Sequence, residues 1–261
     1  MSLKHDILLQ LESAGERFLS GQELAARFGV TRAAVWKAVN ALREEGAEIE
    51  SVTNRGYRLA ARPDLLSAEE IRSLLLPRFA ETEIAIFDRL DSPNNEGKRR
   101  LANGLQKPLL VIAAEQTEGR GRMGRSFYSP ADTGLYMSLA LYAPEGFSGA
   151  VYTTTAAAVA TARALETLSS LPVQIKWVND LYLDGRKICG ILTEAVTDFE
   201  SGLVSGLVIG IGVNLRTPDG EFPEDIQKIA GSAFGNNTFP DLRNRLAASI
   251  LDRLMKENAE I

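Results

Sequence analysis

Apolar positions recur at helical spacing at the start of the chain and then switch to alternation. Ile7, Leu8, Leu11 and Phe18 share a face within residues 4–18, which predicts a first helix. Ser20, with Glu23 three residues on, forms a capping box and opens a second helix that turns Leu24 and Ala25 inward. Phe28-Gly29-Val30 is a tight turn, and Thr31 caps a third helix. On that helix Val35, Ala38, Val39 and Leu42 make the buried stripe. Arg32, Ala33, Trp36, Lys37, Asn40 and Arg43 are left outside, and Gly46 ends the helix. Residues 48–52 and 57–59 read as two strands joined by Thr53-Asn54-Arg55-Gly56. Helix, turn, helix and hairpin is the winged helix-turn-helix arrangement, whose last helix enters the DNA major groove. Arg32, Ala33, Trp36 and Lys37 are then the candidate DNA-facing residues, with the wing arginines Arg55 and Arg58 as candidate phosphate contacts. A small helical protein-contact domain with solvated cations is the alternative for this segment.

Proline interrupts the pattern at Arg62-Pro63-Asp64, which divides the chain into domains 1–62 and 63–261. Beyond it, strand-like runs fall at 84–88, 109–115, 134–141, 173–178, 188–196 and 203–213. Ser67, with Glu70 three on, starts a helix within 65–76, and the alanine-rich stretch 150–168 predicts another. Asp184-Gly185 between apolar runs marks a hairpin, and a second is expected about Glu200-Ser201-Gly202. Residues 239–259 read as a last amphipathic helix, with Leu242, Leu246, Ile250 and Leu254 at spacings of four. Hairpins with long helices predict an α+β fold whose mixed sheet is covered by helices, not a doubly wound parallel sheet.

Composition narrows the function classes. The 261 residues are 45% hydrophobic and 24% charged, which fits one or two globular domains. No stretch of 18 apolar residues exists to span a membrane, and Ile7-Leu8-Leu9 is too short for a signal peptide. One cysteine and one histidine exclude an internal disulfide framework and make a Cys/His zinc site untenable. The cytoplasm is the simplest expectation. Net charge is −5, which argues against a general nucleic-acid coat. Residues 1–62 nevertheless carry nine Lys/Arg against eight Asp/Glu, so the acidity belongs to the remainder.

Three later segments carry candidate chemistry. In Glu118-Gly119-Arg120-Gly121-Arg122-Met123-Gly124-Arg125, glycines let backbone approach an anion and arginines supply planar forks for phosphate or carboxylate. The glycines fit G-x-G-x-x-G, but the next residues, Ser126-Phe127-Tyr128-Ser129-Pro130, are turn-rich and do not open a helix as a dinucleotide fingerprint must. The second segment is Lys176-Trp177-Val178-Asn179-Asp180 with Gly185-Arg186-Lys187 and Gly190-Ile191-Leu192-Thr193-Glu194 after it. On a continuing strand Lys176 and Val178 share one face, Trp177 and Asn179 the other. Lysines there suit a phosphate or a developing oxyanion, and Asp180 suits Mg²⁺, directly or through water. An ordinary surface hairpin with cross-strand charge pairs is the alternative. The third is Gly210-Ile211-Gly212-Val213-Asn214, whose glycines mark close approach and whose Asn214 suits a purine edge or ribose.

With Asp91-Ser92-Pro93-Asn94 added, these motifs occur in an order that resembles the bifunctional biotin–protein ligase and biotin operon repressor family over roughly residues 1–216. The resemblance implies a catalytic domain like that of class II aminoacyl-tRNA synthetases and lipoate ligases. It implies that biotin and ATP, with Mg²⁺, give biotinyl-5′-adenylate, which then acylates a lysine of a biotin carboxyl carrier protein. It also implies that the adenylate is a corepressor favouring a homodimer on palindromic operator DNA. By position, Ser92, Pro93, Asn94 and Gln116 fall where the family contacts biotin. Arg120, Gly121 and Arg122 belong to the loop closing over the adenylate. Lys187 matches the lysine on the biotin carboxylate and phosphate, which makes Lys187, Arg122 and Arg120 the expected catalytic set. Lys176, Asn179 and Asp180 match polar residues near the ATP phosphates and metal, and Asn214 the nucleotide side.

Two departures stand out. The family's usual Ser-Thr-Asn is Ser92-Pro93-Asn94 here, and proline lacks both the hydroxyl and the backbone N–H, so weaker biotin binding is expected. Only 47 residues come after Asn214, and they read as loops and a helix where the family continues into a C-terminal β-barrel domain, here expected to be absent. A ligand-sensing transcription regulator with weak or no ligase activity, and a ligase for another acid such as lipoate or octanoate, remain the alternatives.

Overall fold

The computed structural model describes residues 3–44, 47–53, 55–61, 64–143, 150–197, 204–218, 221–235 and 239–258. The chain forms two compact units, residues 1–65 with 239–242 and residues 66–238 with 243–261. The expected boundary at Arg62-Pro63, the helix stop at Gly46, the turn residue Asn54 and the hairpin at Glu200-Ser201-Gly202 lie outside the described residues.

The first unit contains α1 (Leu3–Ala14), α2 (Gly21–Phe28), α3 (Arg32–Glu44) and the hairpin β1 (Glu48–Val52) and β2 (Gly56–Ala61). Ser20 caps α2, its hydroxyl accepting the Glu23 amide at 3.0 Å. Ile7, Leu11, Leu24, Val35, Val39 and Leu42 meet in a closed core. Full burial of each aliphatic side chain contributes about 1.5–3 kcal/mol. The helix expected over 4–18 stops at Ala14, because Gly15 takes a left-handed φ of 55°. Phe18 therefore lies outside α1, and the Arg55 guanidinium stacks 4.4 Å from its ring. Arg43 is not an outward residue either: its Nη2 donates to the Ile49 carbonyl at 2.6 Å and ties α3 to β1.

The second unit is built on a seven-stranded sheet in the order β3-β4-β5-β9-β8-β7-β6. Its strands are β3 (Glu83–Leu90), β4 (Leu109–Gln116), β5 (Gly134–Tyr142), β6 (Gln174–Lys176), β7 (Asp180–Leu183), β8 (Arg186–Thr197) and β9 (Val204–Asn214). Among these strands only β3 and β4 run parallel; every other neighbouring pair is antiparallel. Helices α4 (Ala68–Leu74), α5 (Pro93–Ala102), α6 (Ala150–Ser169) and α7 (Leu242–Asn258) accompany the sheet. The α6 alanines Ala157, Ala158, Ala160 and Ala164 are buried, which lets the helix pack closely. Asn244 of α7 accepts the Ser67 amide at 3.0 Å and donates to Glu70 at 2.7 Å, so α7 holds the start of α4. Among the described residues after Asn214 there is no strand, and no described helix is long and apolar enough to cross a membrane.

Two local expectations change. α5 has no counterpart in the sequence pattern, since its polar stretch has no apolar period. Its signals are the Ser92 cap, which accepts the Asn94 amide at 3.2 Å, and Pro93 in the first turn. The strand expected over 173–178 ends at Lys176, where a turn at 177–179 brings Lys176 opposite Asp180. The alternation of Trp177 with Asn179 along one strand therefore does not hold. The Asp184-Gly185 hairpin forms as expected, with both residues at positive φ.

Candidate functional site

The centre of the sheet creates a cavity by register. Ser138, Gly210 and Leu192 stand opposite one another across β5, β9 and β8, as do Tyr136, Gly212 and Gly190. The two rows are two residues apart on each strand, so their side-chain positions share one face. Glycines keep that face open. A methyl at Gly210 would overlap Asn94 Oδ1, and one at Gly212 would lie 2.6 Å from the Phe127 ring. The space is closed at its sides by the start of α5, the end of β4 and the Gly/Arg loop.

The Gly/Arg loop is folded, not a free flap. Phe127 N donates to Gly119 O at 2.8 Å and Gly121 N to Arg125 O at 2.7 Å, with Arg120 bridged to Ser126 between them. Ser129 links its base to Gln116, whose amide donates to the Ser129 hydroxyl at 2.8 Å. Arg120 reaches the Asn95 side-chain oxygen, and Arg122 donates to Asn179 Oδ1 at 3.3 Å. Met123, 94% exposed, marks the tip. The loop thus presents arginines on two sides of a cavity mouth.

A second charge cluster lies beside it. Lys187 Nζ is 2.6 Å from Asp180 Oδ1, and the lysine chain passes over Gly190, where an added methyl would be 3.4 Å from Nζ. The Lys187 backbone pairs with Ile229 and Gly231, so the segment after β9 fixes where this lysine starts. Asn179 is held by bonds to and from Ile191. Buried Tyr136 donates to the Pro130 carbonyl at 3.1 Å, and burial pushes its pKa up to about 12, so it stays a neutral donor.

The expected site residues separate into groups. Ser92, Asn94, Gln116 and Arg120 line the cavity. Arg122, Asn179, Asp180 and Lys187 form the adjoining cluster. Pro93 and Gly121 do not line the cavity; Pro93 is buried at the first position of α5, where its missing N–H is one that a helix leaves unbonded anyway. Lys176 is exposed and sits 5.3 Å from the Tyr182 ring centre. Asn214 is buried with its amide given to Gly231 O at 3.1 Å, so it clamps the segment at 231–233. Asp180, the expected metal ligand, has one oxygen 2.6 Å from the Lys187 ammonium, and no group of three His, Cys, Asp or Glu occurs among the described residues. Sequence reasoning missed Phe127, Ser138 and Lys98, and it quoted Glu194 in the second segment without a role. The one signal for Ser138 is a single serine inside the apolar run of β5.

An ion-pair network braces the cavity's edge. Arg99 grips both oxygens of Asp91 at 3.0 Å and also reaches Glu96. The Arg99 bonds hold the Asp91 carboxyl well below the usual carboxylate range, and Arg100 lowers Glu96 likewise. Lowered folded-state values mean stability that is present above the unfolded pKa, near about 4, and is lost as pH falls through the folded value. Arg99→Ala should therefore destabilise the protein by about 1 kcal/mol at pH 7, the pair being half-exposed. The difference from wild type should shrink below about pH 4 in urea unfolding; a pH-independent difference would show that the ion pair is not its source.

In the first unit Arg32, Ala33, Trp36 and Lys37 are exposed together on α3, Trp36 at 55%. The wing arginines differ from the sequence expectation of free phosphate contacts. Arg58 is paired with Glu16 and, at 2.8 Å, with Glu50, while Arg55 lies over Phe18.

Both units match known proteins. Residues 86–214 match the biotin/lipoate A/B protein ligase family, and residues 4–58 match a helix-turn-helix domain. The bifunctional ligase/repressor BirA of Bacillus subtilis is 36% identical over 231 residues, 88% of this chain and 70% of that protein. Its Salmonella typhimurium counterpart is 32% identical over 95% of this chain and 74% of its own length. The biotin protein ligase of Aquifex aeolicus in complex with biotin and ATP superposes with a TM-score of 0.57 at 26% identity, over 68% of this chain and 71% of that one. That of Leishmania major with biotinyl-5-AMP gives 0.54 at 26%, over 68% and 75%. With both matches in one polypeptide, the chain belongs to the biotin/lipoate A/B protein ligase family, among its bifunctional ligase/repressors.

Proposed function

We propose that this chain activates biotin with ATP, transfers it to a lysine of the acetyl-CoA carboxylase carrier protein, and represses transcription through its helix-turn-helix unit. The observation that carries the reading is a glycine-cleared cavity bounded by two cationic clusters, in a chain that also bears an exposed α3 face.

In the first step a biotin carboxylate oxygen attacks the α-phosphorus of ATP and pyrophosphate leaves, giving the mixed anhydride biotinyl-5′-AMP. In the second, the carrier lysine attacks the acyl carbon and AMP leaves. No histidine base is required, because the carboxylate is already a nucleophile and the neutral amine that attacks passes its proton to water or to the departing AMP phosphate. Charge grows on the α-phosphate oxygens, so cations held in place beforehand lower the barrier. Lys187, Arg120 and Arg122 are assigned that role. Ser92 and Gln116 are assigned to the biotin ring, with Asn94 beside them. Asn179 and Asp180 orient Arg122 and Lys187 on the phosphate side. Asn214 serves the nucleotide indirectly, by holding residues 231–233. Magnesium is read as part of the MgATP substrate, since no group of three His, Cys, Asp or Glu occurs among the described residues to hold it without the nucleotide. The Gly/Arg loop shields the anhydride from water.

The repressor half rests on α3. We assign the adenylate as corepressor, favouring a homodimer whose two α3 helices read a palindrome. Arg32→Ala and Lys37→Ala should each weaken operator binding several-fold and flatten its salt dependence by about one unit of slope. Arg58→Ala should change it less, because two carboxylates already neutralise that arginine. Fluorescence anisotropy at several salt concentrations checks the ranking; an Arg58 effect larger than that of Arg32 would reverse it. The ligase half is tested by pyrophosphate release on adding biotin to protein with MgATP, and by labelled biotin appearing on a carrier domain. Operator binding that responds to biotin with no ATP turnover would instead select a sensing regulator.

A further inference from the structure

Asn94 is one link in a chain of polar groups at the cavity floor whose other members, Lys98, Glu194 and Ser138, have no role in adenylate formation or transfer. Lys98 Nζ lies 2.7 Å from Glu194 Oε1, and Asn94 Nδ2 donates to Glu194 Oε2 at 2.8 Å. The second hydrogen of that amide goes to the Leu192 carbonyl at 3.2 Å. Ser138 Oγ then donates to Asn94 Oδ1 at 2.5 Å. Asn94 and Ser138 are 5% and 1% exposed, and both line the cavity.

The order of donors is forced by two acceptors, the Glu194 carboxylate and the Leu192 carbonyl. An ionised carboxylate only accepts, so the amide must turn its NH₂ toward Glu194 and its oxygen toward Ser138. The burial of Glu194 opposes ionisation, but the bonds from Lys98 and Asn94 overcome it and hold its carboxyl below the usual range. A serine hydroxyl has one proton, and Asn94 takes it. Ser138 is therefore left with lone pairs only. Its partner across the sheet is Gly210, whose missing side chain opens the cavity on the same face.

We propose that Glu194, acting through Asn94, sets Ser138 as a hydrogen-bond acceptor in the cavity floor, where it receives one N–H of the cyclic urea of biotin. Glu194 is a positioning residue and Ser138 a specificity residue. The pair favours a ligand with an N–H at that depth over an acid of similar length with a purely hydrocarbon or disulfide head. This deepens the biotin reading and rests on it. It also gives the site a polar contact in a chain where Pro93 supplies neither hydroxyl nor N–H.

The test is calorimetric titration without ATP of wild-type protein, Ser138→Ala and Glu194→Gln, each with biotin and with the two derivatives methylated at one or the other ureido nitrogen. Glu194→Gln keeps the shape but gives the Asn94 amide a partner that donates as well as accepts, which loosens the hold of Asn94 Oδ1 on the Ser138 proton. Both variants should weaken biotin about tenfold or more, a loss of the order set by one unmade buried hydrogen bond. Against the derivative lacking the relevant N–H, Ser138→Ala should cost nothing further. Equal losses on all three ligands would mean that the variants only loosen the cavity, and would overturn the proposal. Wild-type protein that binds none of the three would overturn the biotin reading as well, so the two failures are distinct.

Discussion

Lys187→Ala slows pyrophosphate release from biotin and MgATP by about 100- to 1,000-fold, the usual cost of removing one preorganised charge-stabilising group. The lysine is held at both ends, by Asp180 at 2.6 Å and by backbone bonds to the segment at 229–231. A cation fixed in this way needs no reorganisation when charge develops on the phosphate. Removing it also strands Asp180, which is half-buried, and that alone lowers stability. A Lys187→Met/Asp180→Asn double variant separates the two effects, because it removes the lost pair while keeping the volume. It should melt near wild type and still release pyrophosphate slowly in single-turnover kinetics. Wild-type rates in either variant would remove Lys187 from the chemistry.

Gly210→Ala abolishes measurable biotin binding, whereas Gly212→Ala weakens it while leaving the fold nearly as stable. The two glycines differ in what a methyl would meet. At Gly210 it overlaps Asn94 Oδ1, and Asn94 is fixed by four hydrogen bonds through its side chain and backbone. Something in the cavity floor has to move, and overpacking of that kind costs about 1–3 kcal/mol. At Gly212 the methyl meets the Phe127 ring at 2.6 Å, and Phe127 is a partly exposed side chain whose ring can turn without breaking the loop's backbone bonds. Thermal melting and biotin titration on the two variants, measured side by side, check the contrast. Equal melting temperatures would show that the Asn94 network yields more easily than its hydrogen bonding implies.

The elements legible in the residues alone are those whose signals are local. The capped second helix, the α3 stripe, the Asp184-Gly185 turn and alanine-rich α6 each depend on neighbours within a few positions. α5 escapes because its first residues, Pro93-Asn94-Asn95-Glu96-Gly97-Lys98, carry no apolar period, although the Ser92 cap and Pro93 are in plain sight. The turn at 177–179 escapes because Val173, Ile175, Trp177 and Val178 together look like an uninterrupted strand.

The site is legible in its charged motifs and not in its floor. Arg120, Arg122 and Lys187 announce anion chemistry by type and spacing, but what holds them comes from afar. Asn95, Asn179 and Asp180 come close only through the loop fold and the β6–β7–β8 meander. Ser138, Glu194 and Asn94 are up to a hundred residues apart and meet through the pairing of β5, β9 and β8. Likewise Arg58 looks like a free wing cation in the sequence, yet Glu16, at the far end of the first helix region, neutralises it. Long-range neighbours decide whether a charge is free to bind, and a single sequence does not specify them.

As proposed, the cavity joins biotin to the α-phosphate of ATP and keeps the product. Native mass spectrometry of the purified protein after incubation with biotin and MgATP tests it most directly. The expected result is a retained mass equal to biotinyl-AMP, missing when either substrate is withheld and missing in Lys187→Ala. Protein that carries biotin alone under those conditions, with ATP unconsumed, would contradict the account.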